Sequence, residues 1–225
     1  MPHFDIIKTS DIDLTFRVSK IIADFDVKTE HANERFVGDL QLPNKWNIGV
    51  IVGASGTGKT TIAQNLFCDN IVKKFEWCHK SVIDDMPQNK TVEEIEKMFY
   101  AVGFGSVPNW LKPYAVLSNG EKMRCDLARA LLTNDKICFD EFTSVVDRNV
   151  AQTCCIAVNK AIKLMQKQFI AVSCHYDIVE WLQPDWIFDT NKMQMVFMTA
   201  HGEECNLTSD VVGENNGKYL DVITI

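Results

Sequence analysis

The sequence contains no C-x-x-C pair, no surplus of positive charge and no uncharged apolar run of the roughly 18 residues that a membrane span needs. Each absence removes a class of protein. Without paired thiols the common structural zinc patterns have no ligand set, and Cys68, Cys78 and His79 fit none of the usual spacings. With 23 Lys+Arg against 30 Asp+Glu the net charge is -7, so the bulk field does not attract nucleic acid. Any such contact would need a local patch, such as Lys73-Lys74 with Lys80, or Lys160, Lys163 and Lys167. The last three recur at helical spacing and read as a solvated face. The first five residues lack the basic and apolar regions of a signal peptide, so no membrane insertion is expected and the eight cysteines read as reduced, mostly buried thiols of a cytoplasmic protein.

What is present is ordinary for a globular protein: 46% hydrophobic and 24% charged residues, which excludes disorder, collagen and coiled coil as descriptions of the whole chain. A length of 225 residues suits one large domain, or one core with an insert, able to bury about 70% of its unfolded surface. Residues 11–27 alternate polar and apolar, with Ile12, Leu14, Phe16 and Val18 on one side, and this period of two predicts a strand. Val37 to Leu42 predicts another, ending at Pro43. Ile48 to Val52 is short and wholly apolar, as a central strand buried on both faces should be. Helices are expected over Thr60–Phe67, 91–102 (opened by a capping box at Thr91), 119–132, Asn149–Lys167 and Asp177–Leu182. Further strands are expected at Ile137–Phe139, Phe169–Ser173 and Trp186–Phe188. Residues 103–117, rich in Gly, Pro and aromatics, read as a loop. Short apolar strands alternating with helices predict an α/β core with a mostly parallel sheet. The polar tail, 200–225, reads as a loose appendage or a late edge strand.

Gly53-Ala54-Ser55-Gly56-Thr57-Gly58-Lys59-Thr60 matches G-x-x-x-x-G-K-[ST] in full, between a predicted strand and a predicted helix. Glycines let the backbone curl so that successive N–H groups, with the positive end of the following helix, face a phosphate. Lys59 is then set to reach the β- and γ-phosphates, and the Thr60 hydroxyl, followed by Thr61, is set for Mg²⁺. The apolar run Ile137-Cys138-Phe139 ends in Asp140 and Glu141. Asp140 can hold the Mg²⁺ shell, and Glu141 can face the attacking water as general base.

Between these motifs, Leu117-Ser118-Asn119-Gly120-Glu121 opens a helix, and here the sequence resembles the ABC-type ATPases, whose signature is a Leu-Ser-Gly-Gly-Gln/Glu turn. Ser118, Gly120 and Glu121 match. Asn119 replaces a glycine, and a left-handed backbone there would suit Asn better than most residues. Ser144-Val145-Val146-Asp147 resembles the D-loop, and Ala171 to Asp177 resembles the strand and switch histidine, with His175 on the γ-phosphate. Gln88 is the candidate Q-loop glutamine for Mg²⁺ and water. Gly103 to Tyr114, leading into the signature, is similar to a group of stand-alone prokaryotic and phage members, some related to forms fused to an acetyltransferase-like domain. The resemblance runs over roughly residues 12–190.

This resemblance implies a P-loop core with an N-terminal antiparallel β subdomain and a shortened helical subdomain. It sets an ATPase domain at 1–199, with the helical and signature insert at about 88–132. It also implies two ATP-Mg sandwiched in a homodimer, with Gly53, Ser55, Gly56, Thr57, Gly58, Lys59, Thr60 and Thr61 from one copy and Ser118, Asn119 and Gly120 from the other. An aromatic ahead of the phosphate loop would stack on adenine: Phe25 first, then Phe36 or Trp46. Three functions remain open at this point: a soluble ATPase switch acting on a protein or nucleic-acid partner, the nucleotide-binding subunit of a membrane transporter, and an ATP sensor without turnover. The stretch 88–117 is short for a transporter's docking subdomain. Phe104, Trp110 and Tyr114 either form a partner surface or pack locally onto the core.

Overall fold

A computed structural model describes residues 3–9, 12–27, 33–198 and 204–205. Strand β3 (Ile48–Val52) shows why the central sheet forms. Every residue in it is buried, and its side chains divide by the period of two. Ile48, Val50 and Val52 join one core while Ile51 joins the other. β5 (Gln168–Ser173) and β6 (Trp186–Asp189) flank it and β4 (Lys136–Phe139) lies beyond β5, and these three pairings are parallel. The strands β7 (Gln194–Met198) and β8 (Glu204–Cys205) add antiparallel edges, giving the order β4-β5-β3-β6-β7-β8. Of the tail from Ala200, only Glu204–Cys205 lies among the described residues.

One face of the sheet carries α3 (Val92–Ala101), α4 (Val107–Trp110), α5 (Asn119–Thr133), α6 (Arg148–Met165) and α7 (Asp177–Leu182), packed around Phe99, Leu127, Phe142, Val158 and Phe169. The other face carries α2 (Lys59–Phe67) and a small antiparallel sheet of β1 (His3–Thr9) and β2 (Asn33–Asp39), around Phe36, Ile62, Trp186 and Phe188. Each large apolar side chain buried in these layers contributes about 1.5–3 kcal/mol relative to exposure. The fold is thus the expected α/β P-loop arrangement with a mostly parallel sheet and an N-terminal antiparallel pair.

Residues 11–27 do not form the expected strand. Phe16–Phe25 is a helix, α1, capped by the Thr15 hydroxyl, which accepts from Val18 N–H. The alternation of the first four apolar residues competes with a second pattern, Val18, Ile21, Ile22 and Phe25, which has helical spacing. Among the described residues no strand pairs with this segment, since β1 pairs with β2, and the helical pattern prevails. The strand expected at Val37–Leu42 lies earlier, at Asn33–Asp39, because its register is set by β1, from His3 opposite Asp39 to Thr9 opposite Asn33.

Within 103–117 the chain is more ordered than a loop. It contains α4, with Pro in its first turn, and a 3₁₀ turn at Tyr114–Val116. Phe104 and Trp110 are buried, and Trp110 Nε1 donates to Phe104 O at 2.8 Å. Tyr114 is half-buried and stacks on Trp77. These aromatics pack locally onto the core. Among the described residues no helix is long and apolar enough to cross a membrane.

A polar anchor outside the site holds the turn at 78–85. The Asp85 carboxylate is 4% exposed and accepts from Cys78 N–H (3.0 Å), His79 N–H (3.1 Å) and the His79 ring. Burial pushes this carboxyl up, but the His79 ring and the two amides outweigh it and hold it below the usual carboxylate range. A depressed folded-state pKa stabilises above the unfolded value of about 3.9, and that stabilisation is lost as pH falls through the folded value. Asp85→Asn is therefore expected to cost about 1–3 kcal/mol at pH 7, with the gap to wild type closing below pH ~4. Urea midpoints across pH check it.

Candidate active site

Three loops leave neighbouring parallel strands at one edge of the sheet, where ligands of open α/β sheets bind. The Gly53–Thr60 loop follows β3, Asp140–Glu141 follows β4, and Cys174–Tyr176 follows β5. The P-loop cannot be built from other residues. A Cβ on Gly53 would meet Thr190 Oγ1 at 2.0 Å, and one on Gly58 (φ +83°) would meet the Phe36 ring at 2.3 Å. Gly58 caps α2 and makes no side-chain bond to the first-turn amides. Lys59 is 9% exposed, and its Nζ donates to Ala54 O at 2.7 Å across the loop. Thr60 and Thr61 sit half-buried in the first turn of α2, while Ser55 and Gly56 are exposed. The start of α2, the Lys59 ammonium and the carboxylate at the end of β4 are the groups that a magnesium triphosphate requires, so these residues fit it.

At the end of β4, Asp140 is half-buried and its Oδ1 accepts from Glu141 N–H at 2.9 Å. Glu141 is exposed and holds φ +53°, with Thr143 at φ +64°. Non-glycine residues enter this region at a cost and keep it only when their surroundings hold them there. Phe142 supplies the hold, through a buried ring against Phe139 and Phe169 and a backbone N–H donated to Val172 O at 2.9 Å. His175 is half-buried just beyond β5, and its backbone N–H donates to Ser173 Oγ at 3.2 Å.

Ser118 caps α5 in a full capping box with Glu121. Burial pushes the Glu121 carboxyl up, but hydrogen bonds from Ser118 and Asn109 more than offset this and leave it below its usual range. Asn119 is the first helical residue of α5 and has no positive φ, so tolerance of a left-handed turn is not what admits Asn here. Gly120 is the sterically demanding position, since a Cβ there would lie 3.1 Å from Val146 Cγ1 in the segment before α6. Asp147 caps α6, accepting from Asn149 and Val150 N–H. The next residue, Arg148, forms a two-pronged ion pair with Asp177, two residues beyond His175. The signature turn, the D-loop-like segment and the histidine loop are therefore linked in series.

Gln88 and the adenine candidates lie outside this cluster of loops. Gln88 is exposed in a turn before α3, with its amide donated to Asp84 O at 3.1 Å, and it does not line the cavity beside Asp140. Of the adenine candidates, Phe36 (7% exposed) braces Gly58, and Trp46 (9%) packs on Trp186, whereas Phe25 is 71% exposed on α1. Sequence reasoning missed the brace beneath the P-loop. Thr190 Oγ1 meets Thr57 Oγ1 at 2.5 Å and donates to Val52 O, and Asn191 Oδ1 accepts from Ala54 N–H. Buried Asp189 accepts from Asn191 N–H and from the Tyr176 hydroxyl, tying this turn to the histidine loop. The only sequence signal was a polar Asp-Thr-Asn directly after an apolar strand.

No family profile matches the sequence, and no curated protein does. Solved structures do resemble it in shape. The dimeric bacterial ABC transporter cassette MJ0796 superposes with a TM-score of 0.53 at 14% identity, over 72% of this chain and 88% of that one. CbiO1 from Clostridium perfringens, part of the ABC transporter complex CbiONQ, gives 0.57 at 19% identity over 72% and 80%. The post-hydrolysis MJ0796 dimer bound to ADP and phosphate gives 0.56 at 15% identity over 78% and 93%. The chain has the fold of the ABC-type nucleotide-binding domains.

Proposed function

We propose that this chain binds and hydrolyses ATP at the P-loop and works as a dimeric switch on a protein or nucleic-acid partner. The observation that carries the reading is the convergence of the Gly53–Thr60 loop, the Asp140–Glu141 pair and His175 at the carboxyl edge of three adjacent strands. The first-turn amides of α2 and the Lys59 ammonium bind the β- and γ-phosphates. Thr60 and Asp140 would hold Mg²⁺, which when bound offsets charge on the phosphate oxygens. Glu141 takes a proton from water as the water oxygen bonds to the γ-phosphorus and the bond to the β-phosphate oxygen breaks. His175 holds the γ-phosphate and the water. Ser118, Asn119 and Gly120 of a second copy close over the same phosphate, so ATP favours the closed pair and ADP releases it. Phe25 stacks on adenine, a role supported by its being the exposed ring of the three candidates.

Lys59→Ala is expected to abolish Mg-dependent ATP binding, read by displacement of a fluorescent nucleotide, because no other cation sits in the loop. Unchanged affinity, or a wild-type protein that releases no phosphate from ATP, would overturn the reading. A second reading, a transporter's nucleotide-binding subunit, is favoured by the transporter cassettes among the structural neighbours. Co-purification with a membrane protein, and no stimulation of turnover by DNA, would select it.

A further inference from the structure

The chain leaving α2 returns to the sheet outside β4. Ile71 bridges Cys138 in parallel, and Val72 N–H donates to Cys138 O at 2.9 Å. Beyond that single bridge the segment leaves the sheet, and it carries Lys73 and Lys74 to the end of β4. Lys73 and Lys74 line, together with Val72, Phe139, Asp140 and Asp126, a cavity of about 200 Å³. Both lysines are exposed, and neither joins an ion pair among the described residues.

The segment that carries them is pinned at its far end as well. Trp77 lies flat on Tyr114, with ring centres 4.5 Å apart and planes 7° apart, and its Nε1 donates to Asp126 Oδ1 at 3.1 Å. The Tyr114 hydroxyl donates to the other oxygen of Asp126 at 2.7 Å. The Arg129 guanidinium sits over Phe75 and Trp77 and donates to Glu76 O. Lys73 and Lys74 are therefore held between an anchor on β4 and an anchor on α5. The cavity they border carries Asp140, the residue before Glu141 at the end of β4. The cavity's two carboxylates are already engaged, Asp126 by Trp77 and Tyr114 and Asp140 by Glu141 N–H, with Lys74 acting on Asp126 through its charge, so the end of a polyphosphate beside Asp140 would meet ammonium groups rather than free carboxylates.

We propose that Lys73 and Lys74 form a second cationic contact for the terminal phosphate of the bound nucleotide, from the β4 side. This deepens the ATP-binding reading and rests on it. The test uses the full chain carrying Glu141→Gln, so that ATP persists, and compares it with the same chain also carrying Lys73→Met and Lys74→Met. Affinities for Mg-ATP and Mg-ADP are read by displacement of a fluorescent nucleotide. Loss of one or two charge-assisted contacts predicts ATP binding weakened about 10- to 100-fold with ADP changed less than about threefold. The double arginine variant should restore the preference for ATP, and an unshifted unfolding midpoint shows that the fold is intact. Equal losses for ATP and ADP, or no loss, overturn the proposal. So does loss of duplex-oligonucleotide binding with ATP affinity unchanged, which would assign the pair to a polynucleotide's phosphates. If the Glu141→Gln parent binds neither nucleotide, the ATP-binding reading itself has failed, and that result is distinct from all the others.

Discussion

Glu141→Gln should slow ATP hydrolysis by roughly 10²- to 10⁴-fold, the range a positioned general base supplies, while leaving Mg-ATP bound. The substitution keeps shape and hydrogen bonding but removes the acceptor for the water's proton. Nothing structural depends on the carboxylate: the side chain is exposed, and the backbone conformation is held by its neighbours rather than by the carboxyl group. ATP that is bound and not cleaved should trap the closed pair, so light scattering should give twice the monomer mass with Mg-ATP and the monomer mass with Mg-ADP. A variant that turns over at the wild-type rate would remove Glu141 as base. Hydrolysis lost with no nucleotide-dependent pairing would instead remove the sandwich dimer from the proposal.

Phe142→Ala is expected to have the largest effect on stability, about 3–5 kcal/mol, out of a total of about 5–15 kcal/mol for a domain. The ring is fully buried, edge-on to Phe139 at 6.0 Å and to Phe169 at 5.2 Å. Its removal leaves a hole between β4 and β5 that rigid strands cannot close. The same residue fixes the left-handed turn that aims Glu141, so turnover should fall at temperatures where the variant is still folded. Denaturant midpoints and kcat measured on the folded fraction separate the two effects. A loss below about 1 kcal/mol would show that the site can collapse around the missing ring. Phe142→Leu should recover most of the stability, which ties the loss to volume rather than to aromatic chemistry.

Much of the site was legible because it is local. A phosphate cradle is made by consecutive residues, so Gly53 to Thr60 announce it without reference to the rest of the chain. The same holds for the capping boxes at Thr91 and Ser118, each closed by a residue three positions on. The wholly apolar runs at Ile48, Ile137 and Phe169 revealed strands buried on both faces. Where two periods overlapped, as in residues 11–27, pattern alone chose wrongly, because pairing partners decide between strand and helix. Gln88 was suggested by residue type, yet the cavity beside Asp140 is lined from Val72 to Lys74. That assignment needs the bridge between Ile71 and Cys138, two residues 67 positions apart in the chain.

The sequence by itself determined that a parallel α/β core carries a P-loop, a strand-end acidic pair and a signature-like helix, since each depends on neighbours within a few residues. Only the tertiary structure decided that Thr190 and Asn191 brace that loop, that Phe36 lies beneath Gly58, that Arg148 and Asp177 join two loops, and that Lys73 and Lys74 border the same cavity as Asp140. These contacts join residues far apart in the chain. They arise when strands are placed in register and cores are filled, and no local spacing encodes them.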